Sequence, residues 1–194
     1  YAVSRADFVA QMDYLQQNGY SPISLAQLQK IRAGKQALPK RAVLLTFDDG
    51  LQSYAQFVVP MLKIYKFPSV LSVVTAWVDG KHQPPEYAGH LLGWNELKTL
   101  SREPGVEVIS HTHDLHHGAD GNPQGTDLPV SVTRFYQPVT ENYESEALFR
   151  QRIAEDLRTS VDRLKSQLGT EPLAVTWPYG KYDGVLVDAA RELG

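Results

Sequence analysis

The stretch Ala42-Val43-Leu44-Leu45-Thr46-Phe47-Asp48-Asp49-Gly50 decides the fold: a short, largely continuous apolar run leads straight into two acids and a glycine. Such a run reads as a strand buried on both faces, the kind found in parallel sheets with helices on either side. Working outward, Ser69 to Thr75 and Val106 to Ser110 read as further buried strands, and Leu173 to Trp177 as another. Helical patterns separate them. Ser4 precedes apolar Phe8, Met12 and Leu15 and the pattern stops at Asn18-Gly19, which predicts a capped helix. Ser24-Leu25-Ala26-Gln27 has capping-box spacing for a second short helix ending at Gly34. Tyr54 to Tyr65 reads as a helix kinked at Pro60, and Trp94 to Leu100 as another. Ser145 caps a long amphipathic helix through Ile153, Leu157, Val161, Leu164 and Leu168 to Gly169, and a last helix begins near Asp183 and is still running at Leu193. The stretch from Gly118 to Tyr143 is expected to form a loop plus a hairpin.

Alternation of this kind gives an α/β fold with a parallel sheet, and about five strands are too few for a closed eight-stranded barrel. The composition agrees: 194 residues, 42% hydrophobic and 21% charged, are those of one globular domain with a real core. With 19 basic against 22 acidic residues and no basic block, nucleic acid is excluded as a partner. Zero cysteines rule out thiol nucleophiles and Cys-ligated zinc, leaving His, Asp and Glu for any metal. The first residue is Tyr1 rather than Met, so either a leader has been removed or the numbering begins inside a longer protein. The fold is expected to be truncated at both ends of the 1–194 domain.

Three polar clusters each follow a predicted strand: Thr46 to Gly50, Ser110-His111-Thr112-His113-Asp114-Leu115-His116-His117-Gly118, and Trp177-Pro178-Tyr179-Gly180. Strand carboxyl ends are where ligands gather in α/β sheets, so the three clusters can converge. Adjacent aspartates are costly unless a cation neutralises one, although Asp-Asp-Gly by itself also suits a simple turn. Four of the six histidines lie between positions 111 and 117. Any one of them fits a solvated loop, but together with the Asp pair they point to a metal site of two imidazoles and one carboxylate with open positions. Trp177-Pro178-Tyr179-Gly180 offers an aromatic wall for a sugar ring and a turn amide for an oxyanion, or else plain punctuation between core and turn.

In that order, over roughly Pro39 to Gly180, these clusters resemble the three motifs of the polysaccharide deacetylase family, the NodB-homology or carbohydrate esterase family 4 domain. The Ser-Arg-x-x-Phe start of the first helix, the Asn18-Gly19-Tyr20 turn and Trp-Pro-Tyr-Gly are similar to its branch that deacetylates poly-β-1,6-N-acetyl-D-glucosamine in biofilm export. The resemblance implies a distorted or incomplete (β/α) barrel, Asp48 as general base, and Asp49, His111 and His116 as ligands to a divalent metal: zinc, nickel, cobalt or iron. It implies that Trp177, Pro178 and Tyr179 line the substrate groove, with the Tyr179 backbone N–H stabilising the oxyanion. His116 lies five residues after His111 where many relatives space the pair by four, leaving His113 and His117 as rival ligands. Thr176 stands where many relatives carry an arginine that orients the base, so another group must hold Asp48.

Outside the histidine run, where Leu115-His116-His117 has the spacing, no Leu-x-His motif supplies a general acid, and in this branch the acid-bearing segment precedes the first helix. The resemblance further implies a periplasmic location, an outer-membrane lipid anchor, an export porin as partner and a C-terminal glycoside hydrolase-like domain. The alternatives are a deacetylase of peptidoglycan, chitin or xylan, a polysaccharide-binding domain without turnover, and an unrelated metallohydrolase.

Overall fold

The computed structural model describes residues 3–194, so the first two positions of the expected domain lie outside the described residues. Ser4 caps α1 (Arg5–Gln17) by accepting from the Asp7 N–H, and Gly19 leaves the helix at φ +65°. After β1 (Ser21–Pro22), the full capping box of Ser24 and Gln27 starts α2 (Leu25–Arg32). Both termini therefore follow from local chemistry, since each side chain satisfies an N–H that the first helical turn cannot.

The run from Ala42 does not form one strand. It splits into β2 (Ala42–Val43), parallel to β1, and β3 (Thr46–Phe47), parallel to β4 (Ser69–Val73). β5 (Val106–Ser110) pairs in parallel on the far side of β4, giving the order β3-β4-β5. β4 is buried throughout, as a central strand should be, whereas β3 is an edge and Thr46 is exposed. The apolar run does serve two faces: Leu45 and Phe47 pack on the Phe8, Met12 and Leu62 cluster, while Leu44 packs on Leu25, Val70 and Ile109. Neither face is fully covered, since Leu44, Leu45 and Phe47 all remain only partly buried under these clusters.

Leu173 to Trp177, expected as a strand, contributes a single parallel bridge from Val175 to Ser110, with the Thr176 N–H donating to the Ser110 carbonyl. The strands thus form open arcs of a distorted (β/α) barrel rather than a closed one. Glu107 on β5 ties the sheet to α2: its carboxylate accepts from the Leu25 and Ala26 N–H groups at 2.6 and 2.9 Å, the anion that a helix N-terminus favours.

The helix expected at Tyr54 to Tyr65 is a π-turn (Tyr54–Val58) running into α3 (Val59–Tyr65). Pro60 lies in the first turn of α3, and the widened turn before it suits a residue with no N–H to give back. After β4 come α4 (Thr75–Val78), a short 3₁₀ turn at Pro85–Tyr87 and α5 (Trp94–Leu100). Beyond β5 the structure has two hairpins rather than one, β6 (Gly118–Asp120) with β7 (Asp127–Pro129), and β8 (Tyr136–Gln137) with β9 (Asn142–Tyr143). Arg152 fastens them to α6 (Glu146–Leu168) through the Val130 and Thr133 carbonyls and the Glu144 carboxylate. α7 (Gly184–Glu192), capped by Asp183, packs on α6 and ends one residue earlier than its apolar pattern suggests.

Candidate metal centre

Every candidate ligand sits just past the carboxyl end of a strand. Asp49 follows β3 and adopts φ +72°, a conformation that an L-residue holds only when its surroundings enforce it. His111 follows β5, and its N–H donates to the Val73 carbonyl, continuing the parallel ladder by one residue. Thr112 then turns at φ +70° and the chain coils through Leu115 to bring His116 back beside His111. Asp156 of α6 holds this turn, accepting from the His113 and Asp114 backbone N–H groups at 2.8 and 2.7 Å. Burial pushes the Asp156 carboxyl up to about 6, against the two N–H donors that pull it down.

Asp49 Oδ1 lies 3.7 Å from His111 Nε2 and 3.5 Å from His116 Nε2, too far for hydrogen bonds. Among the described residues these three are the one group of acidic and histidine side chains that offers converging metal-ligating atoms, all within 4.8 Å of one another. Ligands at bonds of roughly 2.0–2.2 Å in a tetrahedral set stand about 3.3–3.6 Å apart, close to the two Asp49–histidine distances. Two further observations test the fit. Asp49 Oδ1 is buried with no hydrogen-bond partner, the sort of acceptor that a cation satisfies. His111 Nδ1 sits 2.9 Å from the Thr176 carbonyl, which only accepts, so Nδ1 carries the proton and Nε2 presents its lone pair. The Thr176 hydroxyl, 2.8 Å from the same nitrogen, adds to that seat. Burial pushes His116 below the usual imidazole range, with Asp49 countering only in part, which favours the neutral ring that can ligate.

The rival histidines are used elsewhere. His113 Nδ1 bonds the Thr75 hydroxyl at 2.8 Å, and the exposed His117 bonds the Gly118 carbonyl at 2.7 Å. Asp48 is exposed, and the buried Ser72 hydroxyl on β4 donates to its Oδ1, leaving Oδ2 unengaged by that contact. Ser72 thus occupies the place that the sequence left open when Thr176 replaced the relatives' arginine, while Thr176 itself seats His111.

Around the group stands an aromatic wall. The His116 ring lies between Trp77 at 4.9 Å and Tyr179 at 4.5 Å. Tyr179, at φ +57°, keeps its side chain half in solvent, as a platform for a ring-shaped ligand would. Trp177 instead packs on the Leu115 and Leu186 cluster and stacks on Tyr182, and Pro178 is buried in the turn. Of the expected groove residues, Tyr179 is the one the structure sets against the histidines. From the other side the Tyr87 hydroxyl donates to Asp49 Oδ2 at 3.3 Å, and burial together with the Asp49 charge keeps that phenol protonated. Ser72, Tyr87 and Asp156 carry no sequence signal; a search for acceptors near an Asp-Asp turn cannot pick one Ser, Tyr or Asp among many.

An open α/β arc with one carboxylate and two imidazoles at the strand ends defines an α/β domain with the donor set of a metal-assisted hydrolase site. Comparison with known proteins narrows it further: residues 35–194 match the family described as polysaccharide deacetylase, and the chain belongs to that family. It is 34% identical over 191 residues to the poly-β-1,6-N-acetyl-D-glucosamine N-deacetylase of Escherichia coli (strain K12), covering 95% of the chain but 28% of that relative's length. To the enzyme of the same name from Staphylococcus aureus (strain MSSA476) it is 29% identical over 123 residues, covering 63% of the chain and 41% of the relative. Among solved structures, the BpsB deacetylase domain from Bordetella bronchiseptica matches with a TM-score of 0.89 at 34% identity, over 95% of this chain and 73% of that one. A de-N-acetylase from Aggregatibacter actinomycetemcomitans matches with a TM-score of 0.92 at 32% identity, over 99% and 75%.

Proposed function

We propose that the protein removes N-acetyl groups from poly-β-1,6-N-acetyl-D-glucosamine, using a divalent cation held by Asp49, His111 and His116. The observation that carries this reading is the orphaned Asp49 Oδ1 facing Nε2 of His111 and Nε2 of His116, with a second carboxylate next door. A cation there supplies Lewis acidity to the acetyl carbonyl and makes water easier to deprotonate. The protein's own residues do the rest. Asp48 Oδ2 takes the proton of the attacking water, while the Ser72 hydroxyl holds Oδ1 so that the carboxylate cannot swing away. The Tyr179 backbone N–H stabilises the oxyanion, and its ring stacks on the sugar.

The choice of polymer rests on the 34% identity, along nearly the whole chain, to proteins carrying that name. The leaving amine needs a proton, and neither His113 nor His117 belongs to the converging group of Asp49, His111 and His116. We assign the acid to a segment outside residues 3–194. The chain spans 28% of the length of its E. coli relative, which supports further domains as part of the proposal; a polysaccharide export porin and a periplasmic, lipid-anchored setting are proposed with them on the family resemblance alone. Acetate release from the full-length protein on poly-β-1,6-N-acetyl-D-glucosamine, chitin, peptidoglycan and acetylxylan, each with and without chelator, tests it. Chelator-sensitive release on the first polymer supports the reading. Chelator-insensitive release, or a preference for another polymer, contradicts it.

A further inference from the structure

The segment after α4 does more than cover the metal centre. Leu51 and Leu91 form an antiparallel bridge, the Gln52 N–H donates to the His90 carbonyl at 2.7 Å, and the Leu92 N–H donates to the Gly50 carbonyl at 2.8 Å. These bonds clamp the residues immediately after Asp49, whose left-handed backbone needs such support. The Gly50 turn, at φ +80°, suits glycine, and a Cβ there would stand a tight 3.1 Å from Val73 Cγ1. The same segment carries Tyr87, whose ring meets Trp77 edge-on at 5.8 Å and whose hydroxyl reaches Asp49 Oδ2.

The two oxygens of Asp49 therefore have different fates. Oδ2 accepts from a phenol and Oδ1, buried and without a partner, faces the histidines. We infer that Tyr87 is a positioning residue for the metal centre: by occupying Asp49 Oδ2 it makes the carboxylate a one-oxygen ligand through Oδ1 and so sets both the affinity and the coordination number of the cation. This inference rests on the reading of Asp49, His111 and His116 as the metal ligands. Carboxylates hydrogen-bonded on the oxygen that does not ligate are held in orientation, and loss of such a partner typically weakens binding roughly 10–100-fold.

Tyr87→Phe keeps the ring against Trp77 and removes only the hydroxyl, so the local packing stays. Full-length protein stripped of metal is titrated with zinc against a competing chelator, and with cobalt while the visible absorption is recorded, for wild type, Tyr87→Phe and Asp49→Ala. The expected result is a roughly 10–100-fold loss of zinc affinity in Tyr87→Phe. Its cobalt spectrum should also weaken and shift as the freed Oδ2 joins the coordination sphere, with the melting temperature of the metal-free protein unchanged. A merely structural role for Tyr87 lowers that melting temperature and leaves the cobalt spectrum as in wild type, and this outcome overturns the inference. So does wild-type affinity and spectrum in Tyr87→Phe while Asp49→Ala binds poorly. Wild-type binding by Asp49→Ala removes the metal-centre reading itself and this inference with it.

Discussion

Replacing Asp156 by asparagine separates two effects of one buried carboxylate. Its oxygens accept from the His113 and Asp114 N–H groups, and burial raises its carboxyl from 3.8 to about 6. Because the folded protein holds this proton more tightly than the unfolded chain, proton uptake favours folding: the contribution is present at low pH and is lost as pH rises from about 4 through 6. Between pH 4.5 and 7.5 that loss amounts to about 2 kcal/mol, from a shift of roughly 2 units at 1.36 kcal/mol each, most of it within the window.

The carboxamide introduced by Asp156→Asn cannot titrate, and it can satisfy one of the two N–H groups while opposing the other, at a cost of about 1–3 kcal/mol at any pH. Urea unfolding of the metal-free wild type and Asp156→Asn at the two pH values reads the difference directly. Groups common to both proteins cancel. The stability advantage of wild type should be about 2 kcal/mol larger at pH 4.5 than at 7.5. An advantage that is equal at both values, or larger at pH 7.5, refutes the account of Asp156. The substitution also loosens the turn between His111 and His116, so zinc affinity at pH 7.5 should fall roughly tenfold.

Three further outcomes are expected. Asp48→Asn should lower kcat for acetate release by roughly 10²–10⁴ with metal content unchanged, as measured by elemental analysis of the purified variant. Ser72→Ala should cost about tenfold in kcat, some 1.4 kcal/mol, with little change in KM or metal affinity, because it frees Asp48 without touching the ligands. Glu107→Ala, which strips the Leu25 and Ala26 N–H groups of their shared acceptor, should destabilise the fold by about 2–4 kcal/mol in urea unfolding while the cobalt spectrum of the loaded protein stays that of wild type.

Elements with a local start and stop signal were legible in the sequence. α6 runs from the Ser145 cap to Gly169 at φ +78°, and α5 and β5 have the bounds their patterns imply. Strand partnership was not legible, because it depends on distant residues. The apolar run from Ala42 gives no hint that its two halves pair with Ser21–Pro22 and with Val70–Leu71, nor does Leu173 to Trp177 show that a single bridge is all it makes. In the site, residue type and order pointed to Asp49, His111 and the histidine run, since few side chains ligate metals. The resemblance already named His116 with His113 and His117 as rivals; what brings His116 rather than either rival beside His111 and Asp49 is the turn at Thr112 with Asp156 beneath it, neither of which has a motif. Ser72, Tyr87 and Asp156 act through geometry across 24, 38 and 42 or 43 positions of chain, beyond the reach of any local pattern.

X-ray absorption and an anomalous-difference map of the protein loaded with one equivalent of zinc bear most directly on the centre. The account predicts a single ion bound by one oxygen of Asp49 and by Nε2 of His111 and His116, at roughly 2.0–2.2 Å. An ion ligated by His113 or His117, or one bound away from Asp49, contradicts it.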